Sequence, residues 1–217
     1  MVGFWDPLEL ADSRLLGTEE RTIGWLRHAE IKHGRIAMFA FCGYIAQYYL
    51  RFPWAMTMDG TPFPKLDLTP PEQWDLLPVA GKIQIILFVG FLEWYSELTP
   101  GPGSDIGLPH YTSKDGTPGK YPSLSNESQD LLPHPVPFNL YDPLRIFSNN
   151  SKERKERGLL AEINNGRLAM IGMFGFLCAQ SIPGSVPLLD GVIDPYDGEF
   201  MAPFENNLFW DNLPVSS

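Results

Sequence analysis

No stretch of this 217-residue sequence runs uninterrupted for the ~18 to 20 apolar residues that a simple membrane-spanning helix needs. Its mean hydropathy is slightly negative and its formal net charge is -10, so bulk composition alone describes an acidic, soluble protein. That acidity argues against nucleic acid as a partner. Cysteine is scarce: Cys42 and Cys178 both fall in apolar segments, where a thiol behaves as a small buried hydrophobe, and no disulfide is expected. Lys and Arg are absent after Arg167, whereas six acidic residues follow it. The opening Met1-Val2-Gly3-Phe4-Trp5-Asp6 reads as neither a signal peptide nor a transit peptide, so a targeting segment was removed or the protein is made where it works.

What the sequence does contain is a repeat. Glu30-Ile31-Lys32-His33-Gly34-Arg35-Ile36-Ala37-Met38 and Glu162-Ile163-Asn164-Asn165-Gly166-Arg167-Leu168-Ala169-Met170 lie 132 residues apart and agree at six of nine positions. Each copy opens a charge-free segment, 36 to 50 and 168 to 182. An ionised side chain near a bilayer centre costs roughly 2.5 to 3.5 kcal/mol, so the Glu and the Arg of each copy are expensive unless they are neutralised. Two crossing helices do this if Glu30 reaches Arg167 while Glu162 reaches Arg35. A carboxylate paired in this way keeps a lone pair for a metal. Gly34, Ala37, Ala40 and Gly43 match Gly166, Ala169, Gly172 and Gly175, a stripe of small residues that lets backbones or flat ligands approach.

Taken with their polar ends, the two apolar segments regain spanning length, and residues 79 to 98 supply a third, weaker candidate with Lys82 at one end and Glu93 and Glu97 at the other. The expected fold is therefore an all-α membrane protein of one domain, 1–217. Helix one covers about 22–50, helix two about 72–98, a long loop 99–151, helix three about 152–182 and a tail 183–217. Helices one and three cross as a pseudo-twofold pair. Basic residues gather before helices one and three, which puts those two starts on one side of the membrane and the C-terminus on the other. Phe204, Leu208, Phe209 and Trp210 suggest a short amphipathic C-terminal helix at the interface. Trp5-Asp6-Pro7-Leu8 and Tyr141-Asp142-Pro143-Leu144 form a second echo and read as rigid turns ahead of helices one and three. The loop 99–151 is rich in Pro, Gly and Ser and has no period; His110 and His134 read as ordinary loop residues, and His28 and Gln47 carry no assignment.

Glu30 and His33 project from one helix face, and Glu162 and Asn165 repeat the spacing. Glu-x-x-His is also a di-iron signature, so a membrane oxidase is a rival reading, but that site needs a second Glu-x-x-His and four helices. A small transporter built on the repeat is another, for which three helices are too few to enclose a midplane site. Asn is a weak neutral ligand suited to a hard cation with one open position. Magnesium in a chlorin ring is such a cation, because the macrocycle supplies four nitrogens and the protein a single axial donor. Single donors spread along helices fit separate pigments rather than one catalytic metal.

The paired motifs, the helix order and the aromatic-Asp-Pro-Leu turns resemble the chlorophyll-binding light-harvesting antenna superfamily of photosynthetic eukaryotes. The middle segment Gln84-Ile85-Ile86 to Gly90-Phe91-Leu92-Glu93 and the tail Ser181-Ile182-Pro183-Gly184-Ser185-Val186-Pro187 are similar to its red-lineage, chlorophyll c-using branch, and most of all to dinoflagellate intrinsic peridinin antennae. The resemblance covers most of the chain. It implies chlorophyll magnesium ligation through Glu30, His33, Glu162 and Asn165, with Arg167 and Arg35 as ion-pair partners, and further ligation through Gln180, Gln84 and Glu93. It also implies carotenoids whose end rings lie near the turns Asp6-Pro7 and Asp142-Pro143. The implied cofactors are chlorophyll a, chlorophyll c and peridinin or a related, diadinoxanthin-like xanthophyll. The implied function is non-enzymatic: harvesting light in the chloroplast thylakoid membrane, N-terminus stromal and C-terminus lumenal, beside neighbouring antenna subunits and thylakoid lipids. The excitation goes to a photosystem core, with photosystem I favoured by the Leu159-Leu160-Ala161-Glu162 run and the tail. An energy-dissipating relative, with the acidic tail after Asp190 as proton sensor, is the alternative within the superfamily.

Overall fold

The computed structural model describes residues 6–97, 110–120, 150–200 and 204. Among them lie four helices, α1 (Glu19–Tyr49), α2 (Pro70–Asp75), α3 (Val79–Glu97) and α4 (Lys152–Ser181), and no strand beyond an isolated bridge between Ala55 and Pro62. The Tyr141 to Leu144 turn and the amphipathic helix expected after Phe204 lie outside the described residues, as does most of the loop 99–151.

Helix α1 begins three residues ahead of the expected start because Thr18 caps it. The Arg21 N–H donates to the Thr18 hydroxyl at 3.3 Å, and Glu19 and Glu20 meet the positive end of the helix dipole. The stretch read as one helix over 72–98 is two. In α2, the Glu72 carboxylate accepts both the N–H and the hydroxyl of Thr69, at 2.7 and 2.8 Å, and Pro70 opens the helix. Pro78 interrupts the ladder after Leu77, and α3 restarts with the N–H groups of Gly81 and Lys82 on the Pro78 carbonyl. Helix α4 is capped by Ser151, whose carbonyl accepts the Lys155 N–H at 3.0 Å, and it stops just ahead of Pro183 and Gly184, the latter at φ +79°.

The chain divides into two compact units, Met1–Arg35 with Phe91–Gly166, and Ile36–Gly90 with Arg167–Ser217. In the first, α1 and α4 meet backbone to backbone: a Cβ on Gly34 would lie 3.0 Å from the Gly166 Cα. Residues 110–120 lie along α1 in the same unit, and the Asp6 carboxylate closes the expected turn by accepting the N–H groups of Leu10 and Ala11 at 3.0 and 2.8 Å.

In the second unit, Phe41 and Tyr44 stack on Phe176, with ring centroids 5.1 and 4.6 Å apart, and Phe41 fills the space over Gly172. The residue after α4 that closes this unit is Tyr196. Its N–H donates to the Gln180 carbonyl at 3.1 Å and its hydroxyl to the Asp75 carboxylate at 2.8 Å. Lys82 is fully buried, donates to the Asp75 carbonyl at 3.4 Å and lies 5.7 Å from the centroid of the Trp74 ring, so it satisfies the carbonyl end of α2.

Among the described residues no helix is long and apolar enough to cross a membrane. The cause is where the charges sit: in α1 and α4 they occupy the first half of each helix, and α3 carries Lys82, Glu93 and Glu97. The apolar surface of α3 is nonetheless exposed all round the helix, from Ile83 through Ile85, Ile86, Leu87, Phe88 and Val89 to Phe91 and Trp94.

Candidate functional site

The two repeated motifs place their donors on α1 and α4. In the first unit, the Arg35 Nε donates to Glu162 Oε1 at 2.5 Å, the interhelical ion pair expected from the repeat. Arg35 and Glu162 keep only 20% and 23% of their side-chain exposure, so the pair is largely desolvated. The Arg35 Nη1 donates in addition to the Gly119 carbonyl at 2.6 Å. Among the described residues Glu162 Oε2 accepts no hydrogen bond, which leaves that oxygen with a lone pair to offer.

His33 is exposed, and its Nδ1 lies 2.7 Å from the Ala29 carbonyl oxygen. A carbonyl only accepts, so Nδ1 carries the proton and the Nε2 lone pair points away from the helix backbone. In this tautomer Nε2 is the nitrogen able to ligate a metal, and the Ala29 carbonyl orients the ring. Asn165 is exposed and its amide makes no hydrogen bond among the described residues. Glu30 is partly buried on α1 and Arg167 is exposed on α4.

The middle-helix candidates differ from each other. Gln84 is exposed on α3 without a side-chain hydrogen bond among the described residues, while Glu93 Oε2 accepts from the Lys32 ammonium at 2.6 Å. Glu93 is thus a second carboxylate whose charge is balanced from α1, here by a lysine whose place in the other motif is taken by Asn164. Gln180 is 1% exposed, and neither its Oε1 nor its Nε2 has a hydrogen-bond partner among the described residues. An orphaned, buried carboxamide is costly, about 1 to 3 kcal/mol per unsatisfied group, unless a ligand or water completes it. Asp6 and Pro7 form the turn described above; Asp142 and Pro143 lie outside the described residues.

Sequence reasoning missed a set of contacts around residues 110–120. His28, 4% exposed, stacks on Tyr111 at a centroid distance of 3.8 Å and accepts the Gly119 N–H on Nδ1 at 3.2 Å. The Tyr111 hydroxyl donates to Glu97 at 3.1 Å, and Glu97 lies 3.9 Å from Lys32. The signal was available in Thr117-Pro118-Gly119, a turn sequence in a loop too long to be structureless for no reason.

No three His, Cys, Asp or Glu side chains converge on one point among the described residues. The donors are single, each on its own helical position; Glu162 and Glu93 have their charge balanced, and His33 has its tautomer set, by a neighbour. That chemistry suits a cation already held by a macrocycle and lacking one further ligand, such as the magnesium of a chlorophyll.

Comparison with known proteins agrees. The family model described as chlorophyll A-B binding protein matches residues 1–181. Fucoxanthin-chlorophyll a-c binding protein A of Phaeodactylum tricornutum is 41% identical over 189 residues, covering 85% of this chain and 78% of the relative. Protein A of the same name from Macrocystis pyrifera is 40% identical over 184 residues, covering 83% and 69%. Protein B of Phaeodactylum tricornutum is 31% identical over 195 residues, covering 88% and 79%.

Proposed function

Because the chain belongs to the chlorophyll A-B binding protein family, a family of light-harvesting pigment carriers rather than enzymes, we propose that it is an antenna subunit. It binds chlorophyll a, chlorophyll c and carotenoid, and passes excitation to a photosystem. The observation that carries this reading is the Arg35–Glu162 pair: a carboxylate neutralised by an arginine, with one oxygen left over, on helices that carry further single donors nearby. Relatives named for fucoxanthin and chlorophyll a-c support the chlorophyll c branch. Peridinin or a related, diadinoxanthin-like xanthophyll as the carotenoid, and photosystem I as the acceptor, rest on the family resemblance.

Glu162, His33, Asn165 and Glu30 are the proposed axial ligands of chlorophyll magnesium, and Gln84, Glu93 and Gln180 are further ones. Arg35 balances the charge of Glu162 and Lys32 that of Glu93, so neither carboxylate brings a net charge to the pigment. The Ala29 carbonyl keeps the His33 Nε2 lone pair outward. The close Gly34–Gly166 contact fixes the two helices there, and with them the spacing of Glu30, His33, Glu162 and Asn165. Bound chlorophyll supplies the absorption and the excitation transfer. The protein supplies fixed separations and orientations.

Helices α1, α3 and α4 are proposed to span the thylakoid membrane, with the N-terminus stromal and the C-terminus lumenal. At 31 and 30 residues, α1 and α4 are each roughly 45 Å long, more than a hydrocarbon core of about 30 Å requires. Their charged halves defeat a plain hydropathy criterion, and pairing as in Arg35–Glu162 lowers the cost of burying such charges. The all-round apolar surface of α3 is what a lipid-facing helix presents. Pigment extraction from the native protein tests the assignment: chlorophylls a and c with peridinin are expected, fucoxanthin in its place would correct the carotenoid, and absence of chlorophyll c would remove the branch.

A further inference from the structure

Between α1 and α2 the chain folds back on itself as an aromatic hairpin. The Met56 N–H donates to the Thr61 carbonyl at 2.7 Å, Ala55 bridges to Pro62, and Gly60 turns the tip at φ +86°. At its base Phe52 stacks on Trp54 with ring centroids 4.6 Å apart, and Phe63 meets Phe52 edge-on at 5.5 Å. Arg51, Phe52, Pro53, Trp54, Ala55 and Pro62 line an open cavity of about 390 Å³, a size usual for ligand sites. Arg51 is the single charged residue of that lining. It is exposed and makes no hydrogen bond or ion pair among the described residues, although Asp59 stands at the tip of the same hairpin.

The surface around that cation is apolar: Tyr49, Leu50, Phe52, Trp54 and Met58 are each more than half exposed. Helix α1 ends at Tyr49, so its proposed span puts the hairpin at the level of the lipid headgroups, where aromatic rings settle and an arginine reaches phosphates. A small inorganic anion would meet the guanidinium and leave the rings wet. A neutral lipid would cover the rings and leave the guanidinium unpaired. We propose that this cavity is a site for a lipid with an anionic headgroup, its phosphate or sulfonate on the Arg51 guanidinium and its upper acyl chain against Phe52 and Trp54. This rests on the reading of α1 as a membrane span.

The test uses the full chain, refolded with chlorophylls and carotenoid and inserted into galactolipid bilayers that carry a trace of spin-labelled phosphatidylglycerol or of a spin-labelled neutral lipid. The immobilised fraction of each label, read by electron spin resonance, measures its association with the protein. The unaltered chain is expected to immobilise more of the anionic label than of the neutral one. Arg51→Gln is expected to lower that excess, with association at the one site weaker by about fivefold, the worth of a single cation at a lipid surface. Arg51→Lys keeps the charge and is expected to keep most of the excess. Lys65, an exposed cation outside the cavity, is the control, and Lys65→Gln is expected to lower the excess far less. An unchanged excess in Arg51→Gln, or an equal loss in Lys65→Gln, would overturn the site while leaving the span standing. Loss of a chlorophyll or carotenoid from Arg51→Gln with the lipid excess intact would make the cavity a pigment site. Displacement of the anionic label by inorganic phosphate, against chloride at equal ionic strength, would reduce it to a site for free anions. In either case the lipid proposal falls. A chain that immobilises neither label denies the span, and the site with it.

Discussion

Gly34 and Gly166 face each other with no room for a methyl group on either: a Cβ on the first would lie 3.0 Å from the Gly166 Cα, and one on the second 2.9 Å from the Gly34 Cα. The neighbours are backbone atoms of a helix, which have no rotamer to give. Gly34→Ala and Gly166→Ala are each expected to destabilise the protein by about 1 to 3 kcal/mol, read as a lower midpoint in thermal unfolding followed by circular dichroism. Gly43→Ala and Gly175→Ala, where a Cβ meets nothing within 4 Å, are expected to be neutral or stabilising by up to about 1 kcal/mol.

Arg35 and Glu162 are coupled, so their losses are not additive. Removing one partner of a fully buried pair costs roughly 3 to 5 kcal/mol. With about a fifth of each side chain still exposed, about 1 to 3 kcal/mol is expected for Arg35→Leu. A double-mutant cycle with Glu162→Leu checks this: the double variant is expected to be more stable than the sum of the single losses allows, and strict additivity would deny the pairing.

Lys32→Met gives the contrast. The Glu93 side chain is half exposed and Lys32 retains 20%, so this pair is expected to contribute less than about 1 kcal/mol, and less again in high salt. Unfolding at two ionic strengths measures it. A loss as large as that of Arg35→Leu would mean the two carboxylates are held alike.

Tyr196 ties the chain after α4 to α2 through a side-chain hydrogen bond to Asp75 at 2.8 Å. Tyr196→Phe keeps the ring and is expected to cost about 0.5 to 1.5 kcal/mol, with Asp75→Ala producing at least that loss and the double variant little more than Asp75→Ala alone. Thermal unfolding of the three variants is the check.

The repeat makes the helices legible because a charged motif followed by an apolar segment is written the same way twice, and the same symmetry predicts the Arg35–Glu162 pair. The stripe of small residues separates into two kinds of position. Close approach occurs at Gly34, Gly166 and Gly172, while Gly43 and Gly175 stand in open space, because periodicity gives the face of a helix but not how far along it a neighbour stays near. The break at Pro78 was visible as a residue and lost in a long apolar run. Lys32, read as part of a basic cluster, balances Glu93 from 61 residues away, and Gly119 reaches His28 from 91 away. Neither pairing has a local signature, since both join positions far apart in sequence, and the chain around Gly119 carries no period of its own.

Light harvesting by bound chlorophyll is tested most directly by the fluorescence-excitation spectrum of the native, detergent-purified protein, monitored at chlorophyll a emission. Bands of chlorophyll c and of carotenoid are predicted in that spectrum, in proportion to their absorption. A colourless protein, or one whose carotenoid and chlorophyll c absorb without exciting chlorophyll a, would contradict it.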